Sequence, residues 1–143
     1  MEYTLGKKTK TFTQILSEHH KRVAVENITC KALFGPEYYK GKRILNLQVD
    51  KNNIKSIRQI ESNAGELFSE LFIQSSCRGG LVRTYYKPAT IILDPLHDCR
   101  TFAEIVPGEE LMVTLEYQGF WSRNDAHGHF WNLKQMCFIP SFD

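Results

Sequence analysis

The 143-residue chain lacks several features, and each lack removes a class of protein. No apolar run approaches the ~20 residues that a membrane-crossing helix needs. The opening stretch, MEYTLGKKTKTFTQ, has no apolar core of the kind that makes a signal peptide, so the expectation is an intracellular, non-secreted protein. Its four cysteines, Cys30, Cys77, Cys99 and Cys137, are scattered with no C-x-x-C pair, which predicts reduced thiols rather than a disulfide framework. Repeats, low-complexity tracts and Pro/Gly/Ser-rich linkers are also missing, so one domain over residues 1–143 is the economical organisation. Net charge is small too, at +2. It is unevenly spread: residues 1–43 hold nine Lys and Arg against four acids, while residues 44–143 hold nine against twelve. The basic third can supply phosphate contacts, or residues 1–10 form a solvated, flexible basic arm.

The richest pattern present is the stretch from Val106 to Pro140. From Leu111 to Trp121 one parity carries Leu111, Val113, Leu115, Tyr117 and Trp121, and the other carries Thr114, Glu116 and Gln118. A second run places Trp131, Leu133, Cys137 and Ile139 on one parity, with Asn132, Lys134 and Met136 on the other. Period-2 alternation marks strands with one buried face. Ser122 to Gly128 supplies turn-tolerant residues between them, so a long terminal β-hairpin is predicted, with aromatics gathered at its tip.

Upstream, Arg22 to Thr29 and Ile44 to Val49 alternate as strands, and the stretch from Phe34 to Lys42 reads as a connection. Asp50 to Ile73 changes to spacings of three and four, which predicts an amphipathic helix capped by Asp50 or Asn52 and broken near Asn63 to Gly65. Ser75 to Gly80 reads as a loop, and Leu81 to Leu93 as strand, with Pro88 implying an edge, a bulge or a break. Residues 94–107 are irregular. The order is strands, one helix, then strands, without βαβ alternation. It predicts a mainly β protein: a small closed β-barrel of about five or more strands, of the oligonucleotide-binding (OB) type, with one or two helices.

Such a barrel binds its ligand with rings and cations on one face and its loops. Tyr38, Tyr39, Lys40, Lys42 and Arg43 interleave the two residue types between strands; the alternative is an amphipathic surface loop. Tyr85 and Tyr86 stand between Arg83 and Lys87, and adjacent side chains on a strand face opposite ways, so one ring is available for a base. Phe120 and Phe130, on the polar parity beside Arg123, are the favoured stacking rings of the hairpin. Trp121 shares the core parity and stands as either core or contact, whereas Trp131 is expected in the core. Arg78-Gly79-Gly80 lets backbone approach a phosphate, but without a GKT or GKS ending it is no ATP-binding loop. Lys134 completes the basic candidates.

Chemistry beyond binding has little support. His127 and His129, with His97 and Cys99, offer zinc-compatible donors, but their spacing is poor for a metal site and they read as turn histidines. Asp94, Asp98, Glu104, Glu109 and Glu110 lack a partnering His or Lys and read as surface acids. No catalytic residue, metal or cofactor is called.

The Pro107-Gly108 strand entry, the aromatic-rich reversal and the Trp131-x-Leu133-x-Gln135 strand together resemble the end of an OB-fold single-stranded-DNA-binding domain. The similarity is to the compact binders of phage T7 type and their relatives in large DNA viruses, over roughly residues 81–140. It implies a protein that coats single-stranded DNA during replication, recombination or repair, located at a viral replication site or the nucleus if the chain is viral. Replication proteins and a second copy of the chain are the further partners it allows, with no membrane. Many such proteins carry an acidic C-terminal tail; this sequence closes on Ser141-Phe142-Asp143 with one acid, which puts tail-mediated recruitment in doubt. Three readings follow: sequence-independent binding of single-stranded DNA, with RNA as the alternative ligand; a β-barrel adaptor using the same rings to anchor a protein; and a metal-dependent hydrolase at the His127/His129 turn.

Overall fold

The computed structural model describes residues 2–96 and 99–140. In chain order the strands are β1 (Tyr3–Lys8), β2 (Phe12–Ser17), β3 (Val23–Tyr39) and β4 (Lys42–Val49). Helix α1 (Lys51–Gly65) follows, then β5 (Ile73–Gln74), β6 (Cys77–Arg78), β7 (Leu81–Tyr86), β8 (Ile91–Leu93), β9 (Glu109–Arg123) and β10 (Ala126–Phe138). Single 3-10 turns occur at Glu66–Phe68 and Phe102–Glu104.

Five of these strands close on themselves in the order β9-β3-β4-β7-β10, with β10 returning to β9. Every pairing in the ring is antiparallel except β7 with β10, where Trp131 stands opposite Thr84. Closure leaves none of these five strands with an open edge along the barrel wall, which is how a small β protein avoids edge-to-edge pairing. The OB-like barrel expected from the strand pattern is the one observed, and α1 enters between its second and third strands.

The alternating residues fill the barrel as their pattern requires. Leu45, Leu47, Val82, Leu111, Val113, Leu115, Tyr117 and Leu133 are buried, and Trp131 is fully enclosed, as expected. Helix α1 contributes Ile57 and Ala64 to the same core. Asp50 is its N-cap by backbone geometry, but its carboxylate accepts from the Asn53 side chain at 2.6 Å rather than from a backbone N–H.

Four expectations change. Residues 3–8 are not a free arm: β1 pairs with β2 and Tyr3 is buried, while Lys7, Lys8 and Lys10 remain exposed. The stretch from Phe34 to Tyr39 is not a connection but the second half of β3, which bulges after Ala32 and resumes pairing at Pro36 opposite Leu45. The chain reverses only at Lys40 and Gly41, both with positive φ (49° and 75°), as a two-residue hairpin turn whose twist suits the strands. The terminal hairpin also turns later and tighter than Ser122 to Gly128, at Asn124 and Asp125 alone.

The fourth change concerns parity. Trp131 pairs with Tyr117 and Phe130 with Gly119, so Gln118 is an inserted residue in β9. Likewise Leu133 pairs with Leu115 and Gln135 with Thr114, so Lys134 is inserted in β10. Each bulge exchanges the faces of everything beyond it. After the first, Phe120 turns inward and Trp121 outward. After the second, Met136 and Phe138 fill the core while Cys137 is only half-buried, reversing the expected assignment.

Candidate nucleic-acid interface

The Gln118 bulge, the β3–β4 hairpin and β7 together shape a cleft of about 650 Å³ on the barrel wall. Period-2 geometry explains its lining on β4 and β7: Lys42, Ile44 and Asn46 point outward beside Arg83, Tyr85 and Lys87, while Leu45, Leu47, Val82 and Thr84 point inward. The hairpin tip adds Trp121, Arg123 and Phe130 from β9 and β10. Strand β2 adds Phe12, which stands opposite Trp121.

These rings form a row. Phe12 and Phe130 have centroids 5.1 Å apart, and Phe130 meets Tyr85 edge-on at 6.1 Å. Tyr85 is flanked by two ammonium groups, Lys42 Nζ at 5.7 Å and Lys87 Nζ at 6.0 Å from its centroid. Trp121 lies across the backbone of Gly128; a Cβ there would come within 2.4 Å of the indole, so glycine is what lets the ring sit flat at this edge of the cleft. Rings spaced and tilted in this way offer separate faces to separate bases, with cations within reach of the intervening phosphates.

Charge is concentrated here. Lys42, Arg78, Arg83, Lys87 and Arg123 line the cleft, and no Asp or Glu does. Glu37, on the same face of β3 as Tyr39, accepts a hydrogen bond from the side chain of the cleft-lining Asn46 at 2.8 Å. Ion pairs among the described residues join Glu18 to His19, Glu116 to Arg22 and Glu109 to Arg100; none engages a cation of the cleft.

A polar network underlies the floor. Glu61 of α1 is 3% exposed and accepts four hydrogen bonds, from Ser75 Oγ, Ser76 Oγ, the Ser76 backbone N–H and Trp131 Nε1. It therefore ties the helix to β10 and to the segment carrying Ser75 and Ser76, which lines the cleft. Beside it, Tyr117 Oη lies 2.6 Å from His129 Nδ1. Burial pushes the Tyr117 phenol up and the His129 imidazole down, the latter partly countered by the Glu61 charge. Tyr117 thus keeps its proton beside a neutral His129, and the two share one hydrogen bond.

Of the residues singled out in the sequence, Tyr39, Lys42, Arg78, Arg83, Tyr85, Lys87, Trp121, Arg123 and Phe130 are brought together in the cleft. Phe120 is not: it is 2% exposed and packs edge-on against Phe68 at 4.9 Å, because the bulge turned it inward. Tyr86 and Arg43 leave the cleft for the opposite side of the sheet, with Tyr38 beside them. Lys40 sits at the β3–β4 turn against Tyr39, and Lys134 is exposed at its bulge outside the lining. Phe12 is a cleft ring that the sequence pattern does not single out: its only signal is a short alternation, Phe12, Gln14 and Leu16 against Thr13 and Ile15, inside a basic segment. Glu61 fell in a gap of the helical pattern.

The histidines and acids weighed in the sequence for metal or catalytic chemistry make local contacts. His127 Nδ1 shares a hydrogen bond with Ser122 Oγ at 2.8 Å, and His129 is committed to Tyr117. Among the described residues no three His, Cys, Asp or Glu side chains are placed to hold a metal; His97 and Asp98 lie outside that set. The Arg100 guanidinium clamps Glu109 and holds its carboxyl below the usual range, while Glu104 bonds back to Thr101.

No family model matches the chain, and no curated protein matches it in sequence. Solved structures do match it. The single-stranded DNA-binding protein from bacteriophage Enc34, in a C-terminally truncated form, superposes with a TM-score of 0.59 at 14% identity, covering 99% of this chain and 96% of that one. Without the truncation the values are 0.54 and 16%, over 100% of this chain and 92% of that one. The same phage protein in complex with single-stranded DNA gives 0.53 and 16%, over 97% and 96%. At such identities the likeness is one of fold, and it extends from residues 81–140 to nearly the whole chain.

Proposed function

We propose that this protein binds single-stranded DNA largely without regard to sequence, by stacking bases on the cleft's rings and holding phosphates with its Lys and Arg side chains. The observation that carries the reading is the coincidence, in one cleft, of the ring row Trp121, Phe12, Phe130 and Tyr85 with five cations and no lining acid. The matching phage fold with DNA bound supports it. Every base has a π-face, so stacking tolerates any sequence and contributes about 1–3 kcal/mol per base. A duplex hides those faces, and so the cleft favours unpaired strands. A role in replication, recombination or repair follows from the need of such strands for cover. The chain acts on this reading as a binding protein rather than an enzyme.

The test is fluorescence anisotropy with labelled oligo-dT, oligo-U and duplex DNA. Oligo-dT should bind well above duplex, and Tyr85→Ala or Trp121→Ala should each weaken it about tenfold, in keeping with one lost stacking partner. Equal binding of duplex, or binding indifferent to both substitutions, would overturn the proposal. Salt-insensitive capture of a protein partner with no oligonucleotide binding would favour the adaptor reading instead.

A further inference from the structure

The β3–β4 hairpin carries rings and cations on both of its faces. Tyr39 pairs with Lys42, and this couple faces the cleft with Tyr85. Tyr38 pairs with Arg43, which pairs in turn with Tyr86, and this set occupies the other face. Neighbouring residues on adjacent strands thus repeat one composition, two tyrosines and a cation, on each side of the tip.

The far side is built rather than incidental. Tyr86 stacks on buried Phe102 with centroids 4.5 Å apart and planes 20° from parallel. Arg43 lays its guanidinium 5.5 Å from the Tyr86 centroid. Tyr38 meets the same Phe102 edge-on at 6.3 Å, yet remains 63% exposed. A stacked guanidinium is already oriented, so it loses little freedom when it takes a phosphate. The nearby acid of this element, Glu104, is turned back onto Thr101, and no ion pair among the described residues engages Arg43.

Resting on the reading of the cleft given above, we infer that Tyr38 and Arg43 form a second subsite for the same strand, which leaves the cleft past Tyr39, crosses the tip at Lys40 and Gly41, and sets a further base on Tyr38 and its phosphate on Arg43. Continuity selects this occupant: Tyr38 and Tyr39 are consecutive, and Lys40 lies between the two faces with its ammonium 5.2 Å from the Tyr39 centroid. The strand is gripped around the hairpin, not merely laid along one wall.

The subsite predicts a dependence on length. Anisotropy is measured with an oligo-dT series for the unaltered protein, Tyr38→Ala, Arg43→Ala and Tyr85→Ala. For oligomers that only fill the cleft, Tyr38→Ala and Arg43→Ala should bind as the unaltered protein does. Once the oligomer is long enough to cross the tip, the unaltered protein should gain about tenfold, the worth of one stacked base with its phosphate, and both variants should lack that gain. Tyr85→Ala should be weaker at every length. Arg43→Lys should recover part of the gain, since it keeps the charge without the stacked plane. Both side chains are exposed, so unchanged thermal midpoints will show that the fold is intact. Equal loss at all lengths, or no loss at any, would overturn the second subsite. Failure of the unaltered protein to bind any oligomer would overturn the parent reading instead.

Discussion

Glu61 shows how one side chain can set the shape of the site without touching it. A carboxylate removed from water is tolerated only when its lone pairs are filled, and four donors fill these. Glu61→Ala would leave the Trp131 indole N–H and the Ser76 backbone N–H without partners in the interior. Each such orphan costs about 1–3 kcal/mol. The expected loss of stability is therefore at least about 2 kcal/mol in urea unfolding, with Glu61→Gln losing less; a loss below about 1 kcal/mol would show that the network is not a clamp. His129 adds a pH signature. Unfolded, its imidazole titrates near 6.5; folded, burial lowers that value. Below pH ~6.5 the unfolded chain takes the proton first, so stability falls as pH drops and levels off only beneath the folded pKa. Above that window the contribution vanishes. His129→Gln should flatten the change in urea midpoint between about pH 7.5 and 5.5; an unaltered slope would refute a buried, neutral His129. Neither residue was legible as structural, since a lone Glu between helical apolar positions looks like a solvated charge and a turn histidine looks exposed.

The β9–β10 hairpin is where sequence pattern and structure part company for a reason that can be stated. Alternation from Leu111 to Tyr117 identifies both strand and inner face, and the structure agrees. An inserted residue does not interrupt the apolar-polar rhythm so much as shift its phase, so parity carried past Gln118 assigns Phe120 outward and Trp121 inward, the reverse of what occurs. Gly119 was the available signal. Its φ of +128° is a conformation that L side chains rarely adopt, and a Cβ would fall 2.0 Å from the Thr13 carbonyl oxygen of β2. Gly119→Ala should hence destabilise the fold by at least about 2 kcal/mol and loosen β2 from β9. Hydrogen exchange would show it: faster exchange of β2 amides with the barrel strands still protected is expected, and uniform protection would contradict it. A comparable signal at Lys40-Gly41 marks a tight turn, but Pro36 and Gly35 dominate the local composition and make a bulged strand read as a loop.

At the scale of the molecule, net charge proves a poor guide and charge placement a good one. The whole chain carries +2, yet the cleft alone contributes five cations with no lining acid. The basic N-terminal third, able by composition either to supply phosphate contacts or to form a solvated arm, supplies only Lys42 of these five. The rest come from the half with an excess of acids, because barrel closure gathers residues from β4, β6, β7 and β9 onto one wall. Segment sums cannot anticipate that gathering; the register of the strands determines it. Binding driven by these contacts should release about one condensed counterion per engaged phosphate, giving a slope of log affinity against log salt near −0.7 for each. Five engaged cations correspond to a slope of about −3.5 for oligo-dT that stays within the cleft. Arg123→Ala should bring it about 0.7 closer to zero, and Arg83→Ala likewise. Lys134→Ala removes the same unit of charge from outside the lining and should leave the slope unchanged. If all three variants shift it equally, the attraction is a diffuse property of the surface rather than of the cleft, and the placement of charge would lose its claim to explain the binding.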